Sequence, residues 1–275
     1  MLSCNRRSFN SLIPAAAVMA TLAVSAQNAA ASIIIDSFAT SHNVTINIPD
    51  PPNLPITASP NGVIPAGTTF GGARMLAAHV TTGQEDDTFR LRVSNASGYA
   101  SMETSALVSG KGLITYNGTT SPSTSVSGGQ FNAPLNYGVA PTDITEGGAN
   151  TGVVVSGYAD NNGIPVVFTF WVNSGMYARG TMNVPGSTSG ILTAHYLAFN
   201  GFSATGDTLA NILSGVRAIT VELDGTRAGV TPGTDVVLDY IIADIDTTVP
   251  EPGSYATMGA GLLLGYGFLR RRLKR

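Results

Sequence analysis

Away from its two ends, the chain alternates short runs of apolar residues with clusters of Gly, Asn, Asp and Ser. Phe89, Leu91 and Val93 alternate with Arg90, Arg92 and Ser94, a period of two that turns one face of a strand to a core and the other to water. The stretches Gly152 to Tyr158 and Pro165 to Val172 flank Asp160-Asn161-Asn162-Gly163. Those four residues tolerate positive φ, so the pattern predicts a hairpin. Further strands are predicted from Met75 to Val80, Leu113 to Tyr116, Ile191 to Phe199, Ile219 to Leu223 and Val236 to Ile242, and Leu209 to Val216 is the one helical candidate of note. Thr119 to Gly129 reads as an exposed loop and Pro49 to Pro65 as an extended segment. Trp171 lies inside the apolar run Val166 to Val172, which predicts a core position. The competing role is stacking on a sugar ring together with Tyr177.

Both ends break this pattern with unbroken apolar stretches. Arg6 and Arg7 precede an apolar run from Leu12 to Val24, which leads into Ala29, Ala30 and Ala31. A basic start, an apolar middle and a small-residue end are the three parts of a secretory signal peptide. Cleavage by signal peptidase after Ala31, with Ala29 and Ala31 as the small residues, gives a signal segment 1–31; Val24-Ser25-Ala26 offers an earlier site. Either cut removes Cys4, the single cysteine of the chain. Disulfides, thiolate metal sites and cysteine nucleophiles are thereby excluded from the mature protein.

Segment 32–248 remains as one domain, of a size that a single sandwich fills. Many short strands separated by turns, in a chain with 32 glycines and 11% charged residues, predict an all-β, antiparallel β-sandwich of jelly-roll type. A signal helix and a C-terminal transmembrane helix are expected at the two ends.

At the C-terminus Val249-Pro250-Glu251-Pro252 is followed by the apolar stretch 254–269 and then by Arg270, Arg271, Arg272, Lys274 and Arg275. In this order, a Pro-Glu-Pro motif, a Gly-rich apolar segment and a basic end resemble the PEP-CTERM sorting signal of Gram-negative bacteria. As a helix the apolar stretch is about 24 Å long, shorter than a hydrocarbon core of about 30 Å. The basic cluster belongs in the cytoplasm, which leaves the chain before Pro250 on the far side of the inner membrane. Two prolines two apart hold the backbone extended and withhold two N–H donors, a rigid segment that a protease can read. The resemblance implies that an exosortase recognises Pro250, Glu251 and Pro252 in segment 249–275 and cuts nearby. It also implies only a transient stay in the inner membrane, a cell-surface or extracellular destination, and an association with exopolysaccharide and biofilm. Phe202-Ser203, Leu209-Ala210-Asn211-Ile212, Ile219-Thr220-Val221 and Val237-Leu238-Asp239-Tyr240-Ile241 resemble the last strands of galactose-binding-like jelly rolls. Gly71-Gly72-Ala73-Arg74 and Gly112 to Gly118 are similar to ectodomains that carry this sorting signal.

Segment 32–248 holds seven basic residues against sixteen acidic ones, a net charge of −9. Such a surface argues against nucleic acid as a partner and is compatible with divalent cations or neutral glycans. No serine sits in a Gly-x-Ser-x-Gly elbow, and His42, His79 and His195 lack the i, i+4 spacing of a helical zinc site. The acidic groups Glu85-Asp86-Asp87 and Asp235, Asp239, Asp244 and Asp246 are candidates for calcium, which takes several oxygen ligands on irregular backbone. Their competing reading is a solvated turn and outward strand positions. These observations predict no enzyme activity and no obligatory cofactor. The leading expectation is an exported structural or interaction protein. The alternatives are a glycan-binding module, with or without calcium, and a polysaccharide-active enzyme.

Overall fold

The computed structural model describes residues 32–49, 55–58, 64–65, 69–94, 96–118, 126–127, 130–134 and 136–244. The proposed signal peptide, the Pro-Glu-Pro motif, the apolar tail and Asp246 lie outside the described residues. Among the described residues, no helix is long and apolar enough to cross a membrane.

The ectodomain is an all-β antiparallel sandwich of two large sheets. Across the seven-stranded sheet the order is β14 (Thr193–Ala198), β11 (Gly152–Ala159), β17 (Val236–Asp244), β7 (Tyr99–Thr104), β6 (Thr88–Ser94) and β2 (His42–Asn47). The short β1 (Ile33–Asp36) pairs with the far end of β17, beyond β7. The eight-stranded sheet runs β15 (Ser203–Thr205), β13 (Met176–Val184), β12 (Ile164–Asn173), β16 (Ala218–Asp224), β8 (Ser109–Tyr116), β5 (Ala73–Thr82) and β3 (Ile56–Ala58), with β4 (Ile64–Pro65) also on β5. Of the Pro-rich stretch predicted to be extended, the described parts supply the two short strands β3 and β4 on β5; the rest of it lies outside the described residues. β9 (Val126–Ser127) and β10 (Gln130–Phe131) pair antiparallel as a separate two-stranded sheet. The helical candidate shortens to α1 (Leu209–Leu213), whose N-cap Thr208 accepts a hydrogen bond from the Asn211 amide.

Alternation decides which face each strand buries. Phe89, Leu91 and Val93 of β6 point into the core, as do Leu76, Ala78 and Val80 of β5 and Ile164, Val166, Phe168 and Phe170 of β12. Phe170 packs against Phe199 and Phe202 with ring centroids 6.0 and 5.3 Å away, within the range where aromatic pairs attract beyond their area. On β13 the inward Gly180 has no room for a side chain because the Phe202 ring occupies that space; a Cβ there would stand 2.8 Å from it.

One predicted connection is corrected. Asp160 to Gly163 does turn the chain, with Asn161 and Gly163 at φ 50 and 83 and the Gly163 amide donating to the Asp160 carbonyl. It is not a hairpin. β11 pairs with β14 and β17 in one sheet, whereas β12 pairs with β13 and β16 in the other. The turn is thus a crossover between sheets, held in place by the Asp235 amide donating to Asp160 Oδ1 at 2.7 Å and by the bridge Ala159–Gly186.

A buried polar network ties the two sheets at one end. Arg74, at the start of β5, donates to Asp36 Oδ2 of β1 at 2.7 Å and to the Thr40 carbonyl. The Tyr116 hydroxyl of β8 donates to the same Asp36 oxygen at 2.9 Å, and the Phe38 amide donates to Asp36 Oδ1. Arg74 and Asp36 are fully buried. Burial pushes the Asp36 carboxyl up, and Arg74 draws it back down through its charge and hydrogen bond.

His42 lies beside this network, and burial together with the Arg74 charge holds its imidazole down to about 4. The unfolded chain therefore takes up the proton first, near pH 6.5. The stability from neutral His42 is complete above that value and is lost as the pH falls through 6.5 toward 4. Acid titration of urea midpoints should show a loss on the order of 2 kcal/mol across this window, and His42→Gln should flatten it. An unchanged slope in the variant would assign the acid loss to other groups.

Candidate functional site

The outer face of the eight-stranded sheet carries the densest arrangement of polar and aromatic side chains. Strand register builds it in rows. Tyr177 of β13 lies opposite Trp171 of β12, Arg179 opposite Thr169 and Thr181 opposite Val167. Thr169 in turn faces Thr220 of β16, and Val167 faces Glu222. Lys111 of β8 lies opposite Asp224 of β16 and His79 of β5.

Trp171 corrects the expectation that it serves the core. Its neighbours Phe168 and Phe170 point inward, but Trp171 is half-buried on the outer face. There its indole N–H donates to Thr220 Oγ1 at 3.0 Å, and its ring meets Tyr177 at 4.8 Å between centroids with planes inclined by 43°. One edge of the indole is fixed by a hydrogen bond and one flank by a second aromatic ring, so the pair is a rigid, partly accessible apolar platform.

Beside the platform stands an ionic cluster. Lys111 Nζ lies 3.1 Å from Glu222 Oε1 and 3.4 Å from Asp224 Oδ2, and Arg179 Nη2 lies 3.9 Å from Glu222 Oε2. Lys111 and Glu222 are nearly buried, whereas Arg179 is half exposed. His79 accepts or donates one hydrogen bond with Thr57 Oγ1 at 2.9 Å. Burial, and then the charge of Lys111, depresses its imidazole.

The face thus divides in two. Toward β8 and β5 it is buried, with Ala77 and Thr115 at zero exposure. Along β13 it is open, with Arg179, Thr181 and Asn183 exposed. From Tyr177 to Asn183 this open strip is about 20 Å long at the rise of a β-strand. It ends at a cavity of about 430 Å³ lined by Thr181, Asn183, Asn162, Pro165, Arg227 and Val230, among others.

The proposed calcium residues are placed differently. Glu85 and Asp86 are exposed in the β5–β6 turn, where Asp86 adopts φ 62. Asp87 folds its carboxylate back to accept from the Gln84 amide at 2.8 Å. The described members of the second group are spread from Asp235, just before β17, along that strand to Asp244. Asp235 accepts from the Thr104 amide at 2.7 Å, and burial raises its carboxyl above the usual range. Asp239 is the extra residue where Tyr240 pairs with Ser156 and Leu238 with Gly157. Asp244, near the other end, accepts from the Ser32 hydroxyl. Nine residue steps at strand rise put Asp235 and Asp244 roughly 25–30 Å apart. Among the described residues, no group of three or more His, Cys, Asp or Glu is placed to hold a metal ion. His42 is buried on β2, His79 lies on the outer face of β5, and His195 sits on the edge strand β14, where its Nε2 is 3.0 Å from Thr193 Oγ1.

The strongest comparison with known proteins concerns the tail. Residues 248–272 are a PEP-CTERM protein-sorting motif. The match takes in the whole Pro-Glu-Pro sequence, the apolar stretch and the first three arginines of the basic end. A PEP-CTERM motif implies export, processing by an exosortase, and a cell-surface or extracellular destination. Among curated proteins nothing matches the chain.

Several solved structures are distantly similar. The family 11 carbohydrate-binding module of the cellulosomal cellulase Lic26A-Cel5E of Clostridium thermocellum is 11% identical over 79% of this chain and 96% of its own, with a TM-score of 0.34. The same kind of module from that organism, in complex with a β-1,3-1,4-mixed-linked tetrasaccharide, is 10% identical over 79% and 98%, with a TM-score of 0.33. PfGH50B is 12% identical over 69% of this chain and 22% of its own, with a TM-score of 0.30. Similarity this remote leaves the ligand to be argued from the side chains themselves.

Proposed function

We propose that the PEP-CTERM protein is an exported component of the cell surface or extracellular matrix whose jelly-roll ectodomain binds a glycan strand along β13. The observation that carries this reading is the Trp171–Tyr177 platform on the open side of the sheet. An aromatic face packs against the C–H groups of a sugar ring, while neighbouring polar side chains satisfy the hydroxyls at its rim. Arg179, Thr181 and Asn183 supply such groups in line with the platform. Their mounting on adjacent strands fixes their spacing before any ligand arrives, which lowers the ordering cost of binding.

The neighbouring carboxylates speak for binding over hydrolysis. A glycosidase needs two carboxyl groups with distinct, available proton states. Glu222 and Asp224 are both held by the ammonium of Lys111, so neither carboxylate is left free to face a sugar as acid or nucleophile.

The test is a glycan array and affinity electrophoresis on the host's surface polysaccharide, with and without chelator. Wild-type protein is expected to bind, and Trp171→Ala and Tyr177→Ala to weaken binding about 10- to 30-fold, as truncation of a buried aromatic anchor does. A response to chelator would assign calcium a supporting role. Absence of binding under both conditions, or full binding by both variants, would leave a purely structural role in the matrix.

A further inference from the structure

The ectodomain spends nearly all its few cations internally. Arg74 pairs with Asp36, Arg90 and Arg92 with Glu103, and Lys111 with Glu222 and Asp224. Arg179 approaches Glu222, and Arg217 donates through Nε to the Val139 carbonyl. Among the described residues, the guanidinium of Arg227 is the one basic group with neither an ion pair nor a hydrogen bond. Arg227 is exposed, and it lines the 430 Å³ cavity at the end of the β13 strip.

The charge of this cavity is opposite to that of the domain around it. Sixteen acidic residues lie in segment 32–248, yet no Asp or Glu lines the cavity. Its other polar groups are the amides of Asn162 and Asn183 and the Thr181 hydroxyl, all able to donate hydrogen bonds. An unpaired guanidinium sharing a cavity lining with neutral donor side chains is a set suited to a carboxylate or sulfate, which a planar fork can bind through two parallel bonds. The volume falls in the range of small-ligand sites, roughly 300–1,000 Å³.

We propose that this cavity is an anion subsite, taking a carboxylate or sulfate substituent of a polysaccharide whose neighbouring sugars lie along β13 toward Trp171. The proposal rests on the glycan-binding reading above and adds the class of ligand. With a domain charge of −9, a polymer charged at every sugar is repelled at long range, whereas a largely neutral chain with sparse acidic groups gains the local contact at little cost. Arg227 then sets specificity, and the aromatic platform supplies most of the affinity.

The experiment uses the protein produced from its full coding sequence and the host's exopolysaccharide in two forms, native and with its carboxyl groups reduced and sulfate esters removed. Wild-type protein should bind the native form about tenfold more tightly, the scale of one charge-assisted contact. Arg227→Gln should bind both forms alike, at the affinity of wild type for the neutralised polymer, and Arg227→Lys should restore part of the preference. Trp171→Ala should weaken binding to both forms while keeping their ratio. Equal wild-type binding to the two forms, or an unchanged preference in Arg227→Gln, overturns the anion subsite and leaves the glycan reading standing. Binding to neither form overturns both. Saturation of Arg227 by inorganic sulfate with no effect on the polymer preference assigns the cavity to a free anion and likewise overturns the subsite.

Discussion

Replacing Arg74 with methionine is expected to cost about 3–5 kcal/mol of folding stability, the scale of breaking a buried ion pair by removing one partner. The loss is not that of one contact. Asp36 would remain fully buried at the sheet junction with only the Tyr116 hydroxyl and the Phe38 amide as partners, and its charge would have no compensation. Removing Arg74 also withdraws the largest influence that pulls the Asp36 carboxyl down, so burial is opposed only by the hydrogen bonds from the Phe38 amide and the Tyr116 hydroxyl. Its folded value then rises further above the unfolded one, and the variant should lose stability as pH rises from about 4 toward neutrality, the unfolded chain being the better acid. Against a total of about 5–15 kcal/mol for a domain, the change should be plain in urea midpoints. The double variant Arg74→Met with Asp36→Leu should recover much of the loss, because an apolar pair needs no compensation. A cost below about 1 kcal/mol for Arg74→Met would mean that water reaches Asp36 and that the network does not fasten the sheets.

The parts of this fold that were legible in the sequence are those where one strand face meets the core and the other meets water. β6 is such a strand: its inward Phe89, Leu91 and Val93 and outward Arg90 and Arg92 give a clean alternation. β13 has the same alternating burial but hides it, since its inward positions include the small Ala178 and Gly180, the latter yielding its space to Phe202 from outside the strand. No local window contains both the small residue and the ring that explains it. The Asp160–Gly163 turn shows a related limit. Its residues declare a reversal, but whether the next strand returns to the same sheet depends on Asp160 holding the Asp235 amide, 75 positions further on.

The candidate site was obscured for a different reason. Val167 and Thr169 are nearly buried on the outer face of β12, so both faces of that strand look apolar and the run Val166 to Val172 reads as core throughout. Trp171 cannot be separated from Phe170 by sequence spacing alone, because a continuous apolar run carries no phase. A usable signal was present in the neighbouring strand. Tyr177, Arg179, Thr181 and Asn183 recur with period two, which marks β13 as a strand with an outward face of hydrogen-bonding residues opposite the tryptophan. Arg227 could not be found this way, since its significance lies in the pairing of the other six cations.

Changing Pro250, Glu251 and Pro252 together to alanine is expected to shift the protein from the surface fraction to the inner membrane almost completely. The PEP-CTERM motif lies within residues 248–272, and the prolines at 250 and 252 limit backbone conformations and remove amide donors. Alanine has the highest helix propensity, so the variant allows the apolar stretch to continue as helix through the place where a protease must read extended chain. It also removes the Glu251 carboxylate, the one charge between Asp246 and Arg270. Intact mass of the protein from each fraction decides the matter. Wild-type protein should lack Arg275 and the variant should keep it. The ectodomain itself should be unaffected, with His42 and Arg74 behaving as in the wild type, because the changed residues lie outside segment 32–248. If both proteins retain Arg275, the tail is a permanent anchor. The strip along β13 would then work at the membrane face, and only polysaccharide within reach of the tethered domain could be its ligand. If both lose it, processing does not depend on the rigidity of Pro-Glu-Pro, and the recognition determinant must lie in the apolar stretch or among Arg270, Arg271 and Arg272.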